Sequence, residues 1–382
     1  MLAAVICMDV VSALPFAYLR YQKRPLRFAS IKLLFVALNI AFNLFFLVLC
    51  PVLQRENPEW LHWVYDPARS GVFYIILSNL IGTTLMALAL WPELFGIRYQ
   101  FNKKLLKELL RYSYPLVILG VAGSINQTAD KILFPILIPN ELEAKSQLGI
   151  YGANFKFAVV MIMFTQAFRF AYEPFVFGKN RDADNRTSYI QAMKYFIIFG
   201  LTIFLGVGLL IPFLPEIPVV RNHIQAAYFS GLAVVPIIMM AEFFFGIFFN
   251  LSFWYKLTDK TQWGAYFSVG GCVLTVVMNI LLVPHFGYMA CAWTAFTVYF
   301  LMMIISYIVG QKYYPVRYEL RNAAFYVTLA ACLYFLGIFM PVENILLLFF
   351  IRCILICFYI LIVIKKDLSL KEIPILNKFV KK

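Results

Sequence analysis

The stretch ILLLFFIRCILICFYILIVI, residues 345–364, contains a single charged side chain, Arg352. A helix of about 20 apolar residues is long enough to cross the ~30 Å hydrocarbon core of a bilayer. Similar stretches follow one another along the chain, and together they predict eleven membrane-spanning helices. The predicted spans are residues 1–19, 28–52, 72–92, 114–138, 149–173, 189–213, 226–249, 263–283, 287–309, 323–340 and 345–364.

The overall composition agrees with a membrane protein. Hydrophobic residues make up 63% of the 382 residues and charged residues only 14%, whereas soluble domains contain about 45–50% and about 25%. Strands of a membrane barrel would alternate apolar and polar residues, and these stretches do not alternate. The sequence therefore predicts an all-α fold, a polytopic membrane helix bundle.

The basic residues indicate the orientation of this bundle. The net charge is +14, and most Lys and Arg residues lie in alternate gaps between the spans. The rich segments are 20–27, 98–111, 179–186, 256–260, 312–321 and 365–382, and the other gaps hold only Arg55, Arg69, Lys145 and Arg221. Because positive loops stay in the cytoplasm, residue 1 is predicted on the outer side and the C-terminus inside. This distribution argues against nucleic acid as a partner.

The cysteine and histidine residues do not show the spacing of a metal-binding site. The seven cysteines lie in or beside apolar spans, and the three histidines have no second ligand at metal spacing. We interpret the cysteines as small apolar packing residues. The sequence predicts neither a metal site nor a cofactor.

Three stretches resemble a known family. They are DVVSALPFAYLRYQKRPLRFASIKL (9–33), ELLRYSYPLVILGVAGSINQTADKIL (108–133) and LGIYGANFKFAVVMIMFTQAFRFAYEPFVF (148–177). Together they resemble the polysaccharide-exporting, lipid-linked oligosaccharide flippases of the MOP exporter superfamily, which also contains the MATE multidrug exporters. The most specific part is IYGANFKFA followed by QAFRFAYEPF.

The resemblance implies a MATE-like architecture of two six-helix lobes, with an extra helix pair in longer members. Aligned on these motifs, the chain resembles helices four to fourteen of the long form, so we expect the first three helices to be missing and Met1 to be an internal start. The implied domains are the second half of the N-terminal lobe with three helices (1–94), a cytoplasmic linker (95–113), the C-terminal six-helix lobe (114–309), and the extra pair with a basic tail (310–382). The linker sequence fits either an amphipathic helix on the inner leaflet or a basic loop.

The resemblance also implies a function. Members move polyprenyl-diphosphate-linked oligosaccharides across the bacterial inner membrane for surface polysaccharides such as the O-antigen of lipopolysaccharide. The chain would then be a transporter and not an enzyme. Its expected partners are the lipid-linked substrate, membrane lipids, and the polysaccharide polymerase and glycosyltransferases.

Polar residues inside the spans are the candidate site, because a charge at mid-bilayer costs at least ~2.5–3.5 kcal/mol. In span 114–138, Asn126 and Asp130 are four residues apart, as are Gln127 and Lys131, so the four form a polar stripe. The stripe is interpreted as a substrate lumen. The alternative is an Asp130–Lys pair that only fixes helix packing.

The next span carries five more candidates. Gln166, Arg169 and Glu173 fall on one face, and Arg169 and Glu173 have the spacing of an internal ion pair. Asn154 and Lys156 lie close together in sequence, with Lys156 on another face. Lys156 is interpreted as a site for the anionic substrate, or alternatively as a partner of Asp130 on the neighbouring helix.

Acidic residues within spans are candidates for ion coupling. Asp9, Asp130 and Glu242 could each bind a proton or sodium ion, although each also fits a role in helix packing.

Three other functions stay open. A MATE-type multidrug or cation antiporter would require an acidic lumen. A membrane glycosyltransferase or polymerase would require catalytic groups on a large outer loop. A truncated fragment without the first three helices would have no transport function of its own.

Overall fold

The computed structural model describes residues 1–22, 24–56, 64–93, 101–178, 185–218, 221 and 226–367, with the backbone alone at 54–56, 173–178 and 185–187. These residues are helical except for short turns and connections, and this part of the chain contains no β-strand. The predicted all-α fold is confirmed.

Eleven long helices make up the described part of the chain. They are α1 (Leu2–Tyr21), α2 (Pro25–Leu44), α3 (Gly71–Leu90), α4 (Lys103–Leu137), α5 (Glu141–Gly178), α6 (Asn185–Leu210), α7 (Val234–Leu251), α8 (Gln262–Phe286), α9 (Tyr288–Tyr313), α10 (Leu320–Phe339) and α11 (Ile345–Lys366). Helix α2 continues through a π-helical turn, Phe45–Leu49, into Cys50–Glu56. A short helix, Phe253–Leu257, follows α7 directly.

Ten of these eleven helices are long and apolar enough to cross a membrane. The exception is α4, whose second half contains Asn126, Gln127, Asp130 and Lys131. Helix α4 begins at Lys103, eleven residues before the predicted span 114–138. Residues 103–113 of the predicted linker therefore belong to this helix.

The chain divides into two compact units, Met1–Asn102 and Lys103–Lys382. The boundary falls within the segment 95–113 that the sequence predicts as a linker. In the first unit, α3 packs against both α1 and α2. Phe16, Leu19 and Met86 are buried between these helices, and Asn39 donates a 3.3 Å hydrogen bond to Asn79.

Helix α7 is the central helix of the second unit. It is the most buried of the ten membrane-length helices, and it packs against α5, α6 and α9. Phe196 on α6 and Phe243 on α7 stack with nearly parallel rings, whose centres are 5.9 Å apart. This contact depends on two glycines. A Cβ at Gly200 would lie 2.7 Å from the Phe243 ring, and one at Gly246 would overlap Phe196.

We therefore expect Gly246→Ala to reduce stability by about 1–3 kcal/mol, because the new methyl group has no space beside a fully buried ring. Gly206→Ala on α6 is the matched control, since no atom lies within 4 Å of its Cβ position. The control should leave the protein as stable or slightly more stable, because Ala favours a helix. Thermal unfolding of both variants in detergent measures the difference, and equal melting temperatures would contradict the close-packing argument.

Helices α10 and α11 are attached to α6 near both ends. Arg352 is buried in α11, where its Nε donates to the Gly337 carbonyl at 3.0 Å and its Nη1 to the Leu209 carbonyl at 2.9 Å. Leu209 lies in the last turn of α6, whose carbonyls carry partial negative charge. At the other end of α11, Asp367 forms an ion pair with Lys194 and accepts a hydrogen bond from the Tyr326 hydroxyl.

This second attachment should depend on pH. Burial raises the pKa of Asp367, but the hydrogen bonds from Lys194 and Tyr326 outweigh burial and hold the pKa below its ordinary value. A lowered folded-state pKa means that the stabilisation is complete above about pH 4, the ordinary pKa of Asp, and is lost as pH falls through the folded-state pKa.

Asp367→Asn should therefore lower the melting temperature at pH 7. The difference in melting temperature between the native protein and this variant should become smaller as pH falls below about 4. Glu343→Gln, which neutralises an exposed carboxylate just before α11, is the control. Melting curves in detergent between neutral and acidic pH provide the measurement. A gap that does not change with pH would refute the ion-pair explanation.

Candidate functional site

A cavity of about 260 Å³ lies inside the second unit. Its walls come from α4, α5, α7, α8 and the short helix Phe253–Leu257. The polar lining includes Gln127, Gln166, Arg169, Glu242 and Lys256. Much of the remaining lining is aromatic or aliphatic, so the cavity combines charged groups with an apolar surface.

Helix α4 directs its polar stripe toward two different surroundings. Gln127 and Ser124 line the cavity. Asn126 is buried on another face, where its side-chain oxygen accepts a hydrogen bond from Thr275 on α8. Its amide nitrogen lies 3.9 Å from the sulfur of Met302 on α9. Adjacent residues separate in this way because each is rotated by about 100° around a helix.

The other two stripe residues connect α4 to α5. Asp130 accepts hydrogen bonds from the Tyr151 hydroxyl at 2.6 Å and from the backbone amide of Lys131 at 2.8 Å. The Lys131 ammonium lies 3.9 Å from the centre of the Phe155 ring. Neither Asp130 nor Lys131 lines the cavity.

Asn154 and Lys156 also lie away from the cavity lining. Asn154 is fully buried, and its amide donates to the carbonyls of Ile150 at 2.9 Å and Tyr228 at 2.8 Å. It therefore fastens the turn Ala226–Gly231 to α5. Lys156 is exposed on a different face of α5 and has no ion-pair or hydrogen-bond partner among the described residues.

The later turns of α5 contribute directly to the cavity. Gln166 and Arg169 both line it, as does the buried Thr165. The Arg169 guanidinium lies 4.8 Å from the centre of the Phe249 ring, and its Nε is buried without a hydrogen-bond partner in the described part of the chain. The side chain of Glu173, the predicted partner of Arg169, lies outside the described residues.

A second cation contacts the same aromatic ring. The Lys256 ammonium lies 5.2 Å from the centre of Phe249 and 5.0 Å from that of Phe253. Lys256 lines the cavity, as do Phe249 and Arg169. We call Arg169, Phe249 and Lys256 the cation pair site. Each cation–π contact contributes roughly 0.5–2 kcal/mol, and the two contacts bring two cationic side chains to one aromatic ring of the cavity lining.

Glu242 supplies a carboxylate to the same cavity. It is 6% exposed and has no hydrogen-bond or ion-pair partner among the described residues. Lys131 attracts this carboxylate and Asp130 repels it. Asp9, another predicted coupling residue, is exposed on α1 in the first unit.

The sequence interpretation missed Lys256 and Phe249. The charge pattern alone places Lys256 in a predicted cytoplasmic gap. A helical pattern could have identified both residues, because Glu242, Phe245, Phe249, Ser252 and Lys256 follow spacings of three and four residues along one helix face. All five line the cavity, and the stripe continues past the end of α7 into the short helix.

Comparisons with known proteins support the fold. Neither a family model nor a curated protein sequence matches the chain. Among solved structures, it is similar to the lipid II flippase MurJ in the inward closed conformation, with a TM-score of 0.54 and 14% sequence identity. The similarity covers 86% of this chain and 67% of the MurJ chain. At this identity the likeness shows the fold alone, and this chain has the fold of a polytopic helical membrane protein.

Proposed function

We propose that the chain acts in a flippase that moves a polyprenyl-diphosphate-linked oligosaccharide across the bacterial inner membrane. The observation that carries this proposal is the cation pair site inside a largely apolar cavity of the second unit. The fold shared with MurJ, whose name describes a lipid II flippase, supports a lipid-linked substrate. The three sequence stretches that resemble polysaccharide exporters support an oligosaccharide headgroup, as in surface polysaccharide synthesis.

The energetic problem of such a transfer is the charged headgroup. A polyprenyl tail is stable in hydrocarbon, but a diphosphate and sugar hydroxyls lose water when they leave the surface. Arg169 and Lys256 offer charge-assisted hydrogen bonds in place of that water. Gln127 and Gln166 offer donors and acceptors to the sugar hydroxyls.

The remaining predicted lumen residues receive different proposed roles. Asn126, Asp130 and Asn154 make hydrogen bonds between helices, so we assign them to packing. Lys131 balances the charge of Asp130 and Glu242. Lys156 stays a proposed contact for the substrate outside this cavity, and Glu173 stays a proposed partner of Arg169.

Coupling to an ion gradient is proposed at Glu242. A buried carboxylate without a partner is unstable when charged, so it would gain most from a proton or a sodium ion. Occupation would remove one negative charge from the cavity that receives the anionic headgroup. Asp9 and Asp130 are weaker candidates, because Asp9 is exposed and Asp130 is already hydrogen-bonded.

A cation antiporter is the second candidate, and Glu242 is the observation that favours it. Arg169 and Lys256 weigh against it, since both would repel an organic cation in the same cavity. A glycosyltransferase or polymerase is less well supported, because Glu242 is the sole carboxylate among the described cavity-lining residues. We therefore propose a transporter without enzymatic activity or a cofactor.

The proposed setting follows from the charge pattern and the resemblance. The protein would lie in the inner membrane with residue 1 outside and the C-terminus inside. Its proposed partners are membrane lipids, a polysaccharide polymerase and glycosyltransferases.

Arg169→Gln and Lys256→Gln should each weaken binding of undecaprenyl diphosphate about tenfold or more, because a hydrogen bond to a charged group contributes ~1.5–3 kcal/mol. The measurement is native mass spectrometry or a fluorescence titration of the purified protein. Lys260→Gln is the matched control, since Lys260 contacts Tyr313 and does not line the cavity.

The neutral alcohol undecaprenol should bind equally well to the native protein and to the three variants Arg169→Gln, Lys256→Gln and Lys260→Gln. Unchanged diphosphate binding by both cavity variants would remove the cation pair site from the mechanism. Equal weakening for diphosphate and alcohol would indicate lost tail contacts instead of lost charge recognition.

Glu242→Gln should retain diphosphate binding but abolish the acceleration of flipping by an imposed proton or sodium gradient. The assay follows a fluorescent lipid-linked oligosaccharide in liposomes with and without each gradient. Glu343→Gln, an exposed substitution, serves as the control. A variant that still responds fully to both gradients would exclude Glu242 as the coupling site.

A further inference from the structure

A second, much smaller cavity lies beside the short helix Phe253–Leu257. Its volume is about 20 Å³, and its walls come from the start of α6, the ends of α7 and α9, the short helix and the segment 314–318. A single water molecule needs about 10–15 Å³ on this scale. The cavity therefore has room for one water and is too small for a phosphate or a sugar.

Four of the side chains that line this cavity have a buried polar atom without a hydrogen-bond partner among the described residues. They are the hydroxyl of Tyr189, the Nδ2 of Asn250, the indole Nε1 of Trp254 and the hydroxyl of Ser306. Tyr189 and Trp254 are 5% exposed and Ser306 is fully buried. Buried polar groups are almost always hydrogen-bonded, so four such atoms around one cavity point to a shared partner inside it.

The donor set identifies the chemistry of that partner. The Trp254 indole and the Asn250 amide can only donate hydrogen bonds at these nitrogens, whereas the Tyr189 and Ser306 hydroxyls can donate or accept. A water molecule accepts two hydrogen bonds and donates two, which matches this set. A metal cation would face two N–H groups, and an anion would be buried without a neutralising charge.

The small cavity adjoins the 260 Å³ cavity that contains the cation pair site, which we call the large cavity. Trp254 lines the small cavity, while the next two residues, Tyr255 and Lys256, line the large cavity. The short helix is therefore a wall shared by both. Trp254 can pack this closely because Gly310 faces it, where a Cβ would lie 2.9 Å from the indole ring.

We infer that one structural water molecule is bound between Tyr189, Asn250, Trp254 and Ser306. It accepts hydrogen bonds from the Trp254 indole and the Asn250 amide and donates to the two hydroxyl oxygens. Through these contacts it fastens the short helix to α6, α7 and α9 and so holds Lys256 in the wall of the large cavity. The inference does not depend on the proposed transport function.

Solid-state NMR of the tryptophan-¹⁵N-labelled protein in liposomes tests the site directly. Magnetisation should pass from water to the Trp254 indole, although Trp254 is buried. The signal that is lost in Trp254→Phe assigns this resonance. A Trp254 indole in the native protein that receives no magnetisation from water would overturn the proposal, whatever the behaviour of any variant.

Ser306→Val provides the second measurement, because its extra methyl group fills the cavity. The water transfer to Trp254 should disappear, and backbone amides of 253–257 should exchange with deuterium faster. Thr294→Val is the matched control, since Thr294 is a fully buried hydroxyl on the same helix that does not line this cavity. If Ser306→Val kept the native transfer, or if Thr294→Val abolished it, the assignment of the water to these four residues would be wrong.

Discussion

A charged side chain inside hydrocarbon must find a partner, and this constraint accounts for two of the contacts that join helices of the second unit. Arg352 meets it with the carbonyls of Gly337 and Leu209. Asp130 meets it with the Tyr151 hydroxyl. Each of these groups connects helices, so the energetic cost of burial is offset by an interaction that also fixes the packing.

Two charges that line the large cavity satisfy the constraint only in part. The Arg169 guanidinium contacts the Phe249 ring while its Nε is buried without a hydrogen-bond partner, and Glu242 has no hydrogen-bond or ion-pair partner among the described residues. Groups in this condition are costly for stability, and such costs are found where function requires them. Both groups line the cavity that also contains Lys256, which is why the proposed function begins there.

The end of α7 controls this arrangement. At Ser252 the helix breaks, and the Ser252 hydroxyl donates a 2.6 Å hydrogen bond to the Phe249 carbonyl. In the short helix that follows, Lys256 lines the same cavity as the residues of α7, whereas Trp254 packs against Gly310 on α9. A small change in the position of this helix would thus alter both the cation pair site and the water-sized cavity.

The sequence by itself determined the helical fold and the approximate position of each long helix, because hydropathy and span length are local properties that the bilayer imposes directly. It also identified Gln127, Gln166, Arg169 and Glu242, since polar residues are conspicuous in apolar spans. Only the tertiary structure decided which polar residues share a cavity. Asn126 and Gln127 are neighbours in sequence but face different surroundings, and Lys256 joins Arg169 across 87 residues through contact with one ring. Such pairings depend on the rotation and crossing of helices, which arise from packing between distant segments and leave no signal in local composition.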